Sequence, residues 1–91
     1  MKITRSKQFK KDYKLAKKQR KDLSLLKNIV KKLSQKEKLP AKVKDHKLTG
    51  NLKNYRELAL NPDWLLMYQI DEKGQELKLA RLGSHAELYK K

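Results

Sequence analysis

The apolar positions of this 91-residue chain change their period once along its length, and the change separates a helical half from a strand half. In the first half Phe9, Tyr13 and Ala16 recur at i, i+4 and i+7. At 100° per residue they fall within about 60° of arc, one helical face. Lys7, Lys10, Lys11, Lys14, Lys17 and Lys18 take the opposite arc, and Ser6 is placed to cap the start. The spacing predicts a helix of about three turns with an apolar stripe and a lysine back. A break falls near Arg20-Lys21. Asp22 can cap a second helix, carried by Leu23, Leu26, Ile29, Val30 and Leu33. Two amphipathic helices with a short connection make an αα-hairpin. Lys2-Ile3-Thr4 is a short first strand, and Lys36 to Lys44 is a basic loop in which Pro40 forbids helix continuation.

From Tyr55 onward the period shortens. Tyr55 to Leu60 reads as a strand and Asn61-Pro62-Asp63 as a turn. Trp64-Leu65-Leu66-Met67-Tyr68-Gln69-Ile70 is a dense apolar run, the pattern of a central strand buried on both faces. Asp71-Glu72-Lys73-Gly74 turns the chain again. Leu77, Leu79 and Arg81 alternate with Lys78, Ala80 and Leu82 in a further strand. Gly83 ends it, Ser84 can cap, and His85 to Tyr89 form one helical turn. The predicted order is β-α-α-β-β-β, an α+β fold in one domain over residues 1–91. Its two helices cover one face of a small, mainly antiparallel sheet. The other face is left open as a binding surface.

Charge sharpens the division. The chain holds 25 Lys and Arg against 10 Asp and Glu, a net charge of +15. Met1 to Lys53 carries 19 basic and 4 acidic residues, whereas Asn54 to Lys91 carries 6 of each, so the whole excess precedes Asn54. An excess of this size exceeds what solubility alone asks of a small domain and points to an anionic partner, nucleic acid above all. A membrane partner is not expected, because both helices need their apolar faces for the sheet. The longest strictly apolar run, Trp64 to Tyr68, is far too short to span a bilayer. The first seven residues lack the apolar core of a secretory signal, and cysteine is absent, which suits a cytoplasmic protein.

Only a few residues offer chemistry. His46 and His85 lie at element ends, one before the first long strand and one after the last, where a rigid scaffold can present a catalytic group. A histidine pair can share general-base and general-acid duties in RNA cleavage. Asp63 belongs to a turn cluster and Glu57 to a strand beside Arg56, so turn chemistry and cross-strand pairing compete with catalytic roles. Arg81 can bind phosphate or pair with Glu57 or Asp63. Tyr89 can stack on a base or pack the last turn onto the sheet. Trp64, Met67 and Tyr68 read as core. There is no glycine-rich phosphate loop and no cluster of metal ligands, so neither cofactor nor metal is expected.

Four strings in order, Lys44-Asp45-His46-x-Leu48-x-Gly50, Tyr55-Arg56-Glu57, Pro62-Asp63-Trp64 and Gly83-Ser84-His85-Ala86-x-Leu88-Tyr89, resemble the YafQ branch of the RelE/ParE toxin superfamily. The likeness runs over nearly the whole chain. It implies a RelE-like fold and the toxin of a bacterial type II toxin–antitoxin system, an mRNA interferase in the bacterial cytoplasm. Such a toxin enters the A site of the 70S ribosome and cuts mRNA without a metal, by attack of the 2′-OH on the adjacent phosphate. The resemblance places family catalytic positions on His46, His85, Asp63 and Glu57 and the C-terminal aromatic on Tyr89. On that basis His85 is expected as general acid and His46 as base or phosphate-orienting group. Asp63 tunes or substitutes for one of them, Arg81 stabilises phosphate charge and Tyr89 stacks on the codon. Lys44, Lys47, Lys53 and Arg56 are expected to contact RNA, and Lys10, Lys14 and Lys17 to dock on rRNA. An acidic segment of a cognate antitoxin is expected to cover the site. One position departs from the family: some members carry a third histidine where this chain has Ala59. A ParE-like gyrase inhibitor on the same scaffold and a non-catalytic basic nucleic-acid-binding domain stay as alternatives.

Overall fold

In the computed structural model, which describes residues 1–89, Ser6 is the hinge between the first strand and the first helix. β1 (Lys2–Arg5) ends there and α1 (Lys7–Lys18) begins. The Ser6 hydroxyl accepts the Phe9 amide at 2.9 Å and donates to the Ala80 carbonyl at 2.8 Å, so the cap also ties the helix start to the last strand. Arg20 takes a left-handed conformation, φ 57°, which stops α1. Asp22 caps α2 (Leu23–Ser34) by accepting the Ser24 amide at 3.0 Å. The last turn of each long helix carries two lysines, Lys17-Lys18 and Lys31-Lys32, which complement the negative end of its dipole.

The sheet is built from β1, β2 (His46–Lys47), β3 (Arg56–Asn61), β4 (Trp64–Asp71) and β5 (Glu76–Gly83), in the spatial order β1-β5-β4-β3-β2. β1 runs parallel to β5 and every other pair is antiparallel. β4 lies at the centre, and Trp64 to Tyr68 are all buried, as the apolar run predicts. Alternation then assigns the faces. Trp64, Leu66 and Tyr68 join Leu58, Leu77, Leu79 and Leu82 against Phe9, Ala16, Leu26, Ile29 and Leu33 of the helices. Each such leucine contributes about 1.5–3 kcal/mol relative to exposure. Leu65 and Met67 point to the opposite face, where α3 (His85–Leu88) returns after β5.

The predicted elements are present, with one addition and small shifts. β2 is a fifth strand that the pattern does not announce, because two residues are too few to show a period. The strand expected from Tyr55 begins at Arg56 and runs to Asn61. The basic loop contains a 3-10 turn at Ala41–Val43 directly after Pro40, and a second follows at Gly50–Leu52. Among the described residues no helix is long and apolar enough to cross a membrane.

Candidate active site

Strand register gathers the site. His46 pairs with Glu57 and Glu57 with Met67, so these three residues form one row across β2, β3 and β4 on the face away from α1 and α2, whereas Arg81, paired with Met67 where the β4–β5 register slips, turns its side chain to α1. Two interstrand steps make the row roughly 10 Å long. Glu57 is only 5% exposed. Its carboxylate accepts the Tyr89 hydroxyl and faces His46 Nε2 at 3.9 Å. Tyr89 follows the end of α3 and is therefore folded back over β3. Burial, and then the bond to Glu57, raise the Tyr89 phenol above its ordinary range, so it remains a donor.

The two histidine rings are each held by one nitrogen. His46 Nδ1 lies 2.8 Å from the Lys44 carbonyl. A carbonyl only accepts, which assigns the proton to Nδ1 and leaves the lone pair of the neutral ring on Nε2. The Lys44 carbonyl is turned to this position by a left-handed backbone, φ 52° and ψ 46°. His85 is the first residue of α3, whose start is fixed by a capping box between Ser84 and Glu87. Its Nδ1 lies 2.9 Å from Asp63 Oδ1, and its amide donates to the same oxygen at 3.1 Å. Asp63 thus clamps both the ring and the helix start from the β3–β4 turn. The His85 ring, then the His85 amide, hold the Asp63 carboxyl below the usual carboxylate range.

An open cleft of about 570 Å³ joins these parts; His46, Glu57, His85 and Lys42 line it. Ala59 and Leu65 form part of its wall, so a small methyl group occupies the position where some family members carry histidine. Lys42 carries no sequence signal, being one lysine of a basic loop. It reaches the cleft because the 3-10 turn after Pro40 brings the loop against β3.

Other expected site residues lie elsewhere. Arg56 precedes Glu57 in the same strand and so faces the opposite side. There its Nη2 pairs with Asp45 Oδ2 at 3.1 Å, and it does not line the cleft. Lys47 pairs in register with Arg56 and shares its side. Lys44 stands on the cleft rim, while Lys53 closes the exposed turn at Gly50–Leu52. Arg81 pairs with neither Glu57 nor Asp63. Its Nε meets Asp12 of α1 at 2.8 Å, and Asp12, 8% exposed, also accepts the Leu82 amide at 2.9 Å. Lys10 and Lys14 rim a groove between the two long helices, and Lys17 is exposed on the same helix. Among the described residues no three His, Asp or Glu side chains converge as metal ligands.

Residues 1–90 match a family described as bacterial toxin of type II toxin-antitoxin system, YafQ. The mRNA interferase toxin YafQ of Escherichia coli K12 is 42% identical over 88 residues, 96% of this chain and 94% of that protein. A crystal structure of a metal-bound toxin from Helicobacter pylori superposes with a TM-score of 0.93 at 47% identity, covering 98% of this chain and 99% of that one. The YafQ chain in a crystal structure of the E. coli DinJ–YafQ toxin–antitoxin complex superposes with a TM-score of 0.86 at 41% identity, covering 96% and 94%.

Proposed function

The chain belongs to the YafQ family of type II toxins, and from that premise we propose that it is an endoribonuclease, an mRNA interferase acting on mRNA in the ribosomal A site. The observation that carries this reading is the pair of histidines on one cleft, each ring held through Nδ1 and each leaving Nε2 without a hydrogen bond among the described residues. In the proposed metal-independent reaction His46 Nε2 takes the proton of the 2′-OH, and the 2′-oxygen attacks the adjacent phosphorus. The P–O5′ bond breaks as His85 Nε2–H gives its proton to the departing 5′-oxygen. The products are a 2′,3′-cyclic phosphate and a 5′-hydroxyl. Glu57 stands 3.9 Å from His46 and can partner its charged form, as Asp63 partners His85. Lys42 and Lys44 at the rim, rather than the charge-paired Arg81, offer positive charge to the scissile phosphate. Tyr89 is proposed as the surface against which a codon base stacks.

The partners of this reading are mRNA, the 70S ribosome and a cognate antitoxin whose acidic segment covers the basic cleft, in the bacterial cytoplasm. Its test is cleavage of mRNA on purified, programmed ribosomes. Cuts at codon-fixed positions with 5′-hydroxyl ends are expected. Absence of cleavage, or 5′-phosphate ends, overturns the reading, and inhibition of gyrase supercoiling instead would favour the ParE-like alternative.

Docking has its own signature. Glu at Lys10, Lys14 and Lys17 together is expected to weaken ribosome association and to flatten the plot of log K against log salt. The expected change in slope is roughly 0.7–0.9 per lost phosphate contact, about two to three in total. Sedimentation across a salt series measures it, and unchanged binding at every salt counts against a docking role for α1.

A further inference from the structure

Asp45 sits between the two residues that define the His46 ring, yet its own side chain leaves the cleft. It passes to the helix side of the sheet, where three donors meet it. Arg56 of β3 donates through Nε at 3.3 Å to Oδ1 and through Nη2 at 3.1 Å to Oδ2. The Tyr68 hydroxyl, reaching from β4, donates to Oδ1. Tyr68 is 1% exposed and the Asp45 side chain 24%. Burial, then the bond to Asp45, hold the Tyr68 phenol protonated above its ordinary range, and Asp45 in turn strengthens the charge on Arg56. The consequence of this grip lies one residue to either side. A left-handed Lys44 is strained and persists only where its surroundings over-determine it. The Lys44 carbonyl so fixed is the one that accepts His46 Nδ1–H.

We propose that Asp45 is a positioning residue for His46: anchored by Arg56 and Tyr68, it fixes the Lys44 carbonyl that selects the Nδ1–H tautomer and aims Nε2 at the substrate. The catalytic part rests on His46 acting as the base; the tautomer part does not. Without the anchor the loop end is released, the ring gains its other tautomer, and the base is misplaced.

The test combines ring-nitrogen NMR of the ¹⁵N-labelled full chain with single-turnover cleavage on programmed ribosomes. In Asp45→Ala the His46 ring is expected to shift from one tautomer to a mixture. The cleavage rate at saturating enzyme is expected to fall roughly 10–100-fold, with substrate affinity within about twofold. Tyr68→Phe removes one hydroxyl and keeps the ring in the core, so it carries the test should Asp45→Ala fail to fold, with the same changes in smaller measure. An unshifted His46 tautomer in folded Asp45→Ala, or in Tyr68→Phe where only that variant folds, overturns the proposal. A shifted tautomer with an unchanged rate overturns its catalytic part. An inactive native chain sinks the nuclease reading alone, because the ring signals still decide whether Asp45 sets the tautomer.

Discussion

A His46→Ala, His85→Ala double variant is expected to cleave mRNA on programmed ribosomes at least about 10⁴-fold more slowly than the native chain while keeping its fold. General acid–base groups each supply about 10²–10⁴ in rate. Groups that act as a unit are not additive, so each single variant is expected to lie close to the double. Both side chains are more than half exposed, 56% for His46 and 63% for His85. Their removal leaves the core intact, and melting within a few degrees of native separates a chemical loss from unfolding. The native rate is expected to be bell-shaped in pH, and each single variant to lose one limb. Asp63 stays ionised across that profile, since its folded pKa is depressed by the His85 ring and amide. Its contribution is present above the ordinary carboxylate range and is lost only as pH falls through the lowered value. Primer extension on the cleaved message, run over a pH series, measures all of this. Undiminished cleavage by the double variant would remove both histidines from the mechanism.

The same residues show how far the amino-acid pattern reaches. Both helices and β4 are legible because their apolar positions repeat often enough for a period to emerge, and Ser6, Asp22 and Ser84 cap where the pattern starts. His46 and His85 are legible as element-end residues, and the structure brings both to one cleft. What escapes are relations set by tertiary register. β2 exists only through its partner β3. Arg56 and Glu57 are neighbours in a strand, so alternation alone rules out that both face the cleft, a signal already present in Tyr55-Arg56-Glu57. Asp45 lies inside the motif that singles out His46, but its partners are 11 and 23 residues away. Asp12 reads as one acid on a lysine-rich helix, although it is three residues after Phe9 and four before Ala16, at the margin of the apolar stripe. That margin was its one visible sign of burial.

Asp12→Ala is expected to destabilise the fold by about 3 kcal/mol, the largest effect of any single substitution considered. The reason lies at the edge of β5. β1 pairs with β5 only as far as Arg5 opposite Leu79. Beyond that point, among the described residues, the strand edge has no neighbouring strand, and α1 crosses it instead. Ser6 takes the place of the next residue of a strand, its amide donating to the Leu79 carbonyl at 3.0 Å and its hydroxyl to Ala80. Asp12, almost two turns further along, supplies the acceptor for the Leu82 amide and also pairs with Arg81 at 2.8 Å. Gln8 steadies the same carboxylate through Oδ1 at 3.1 Å. Alanine leaves a buried N–H without an acceptor and a half-buried guanidinium without its counter-charge, and both penalties fall on one site. For a domain of this size the melting temperature should fall on the order of 10–20 °C. Asp12→Asn keeps an oxygen for the Leu82 amide and loses only the charge, so it should cost roughly half as much. An Asp12→Ala, Arg81→Ala double variant should be less destabilised than the sum of the singles, because the unpaired guanidinium is gone. Calorimetry on the four proteins measures the cycle. A single Asp12→Ala variant melting within about 2 °C of native would show that the helix holds the strand edge by packing alone.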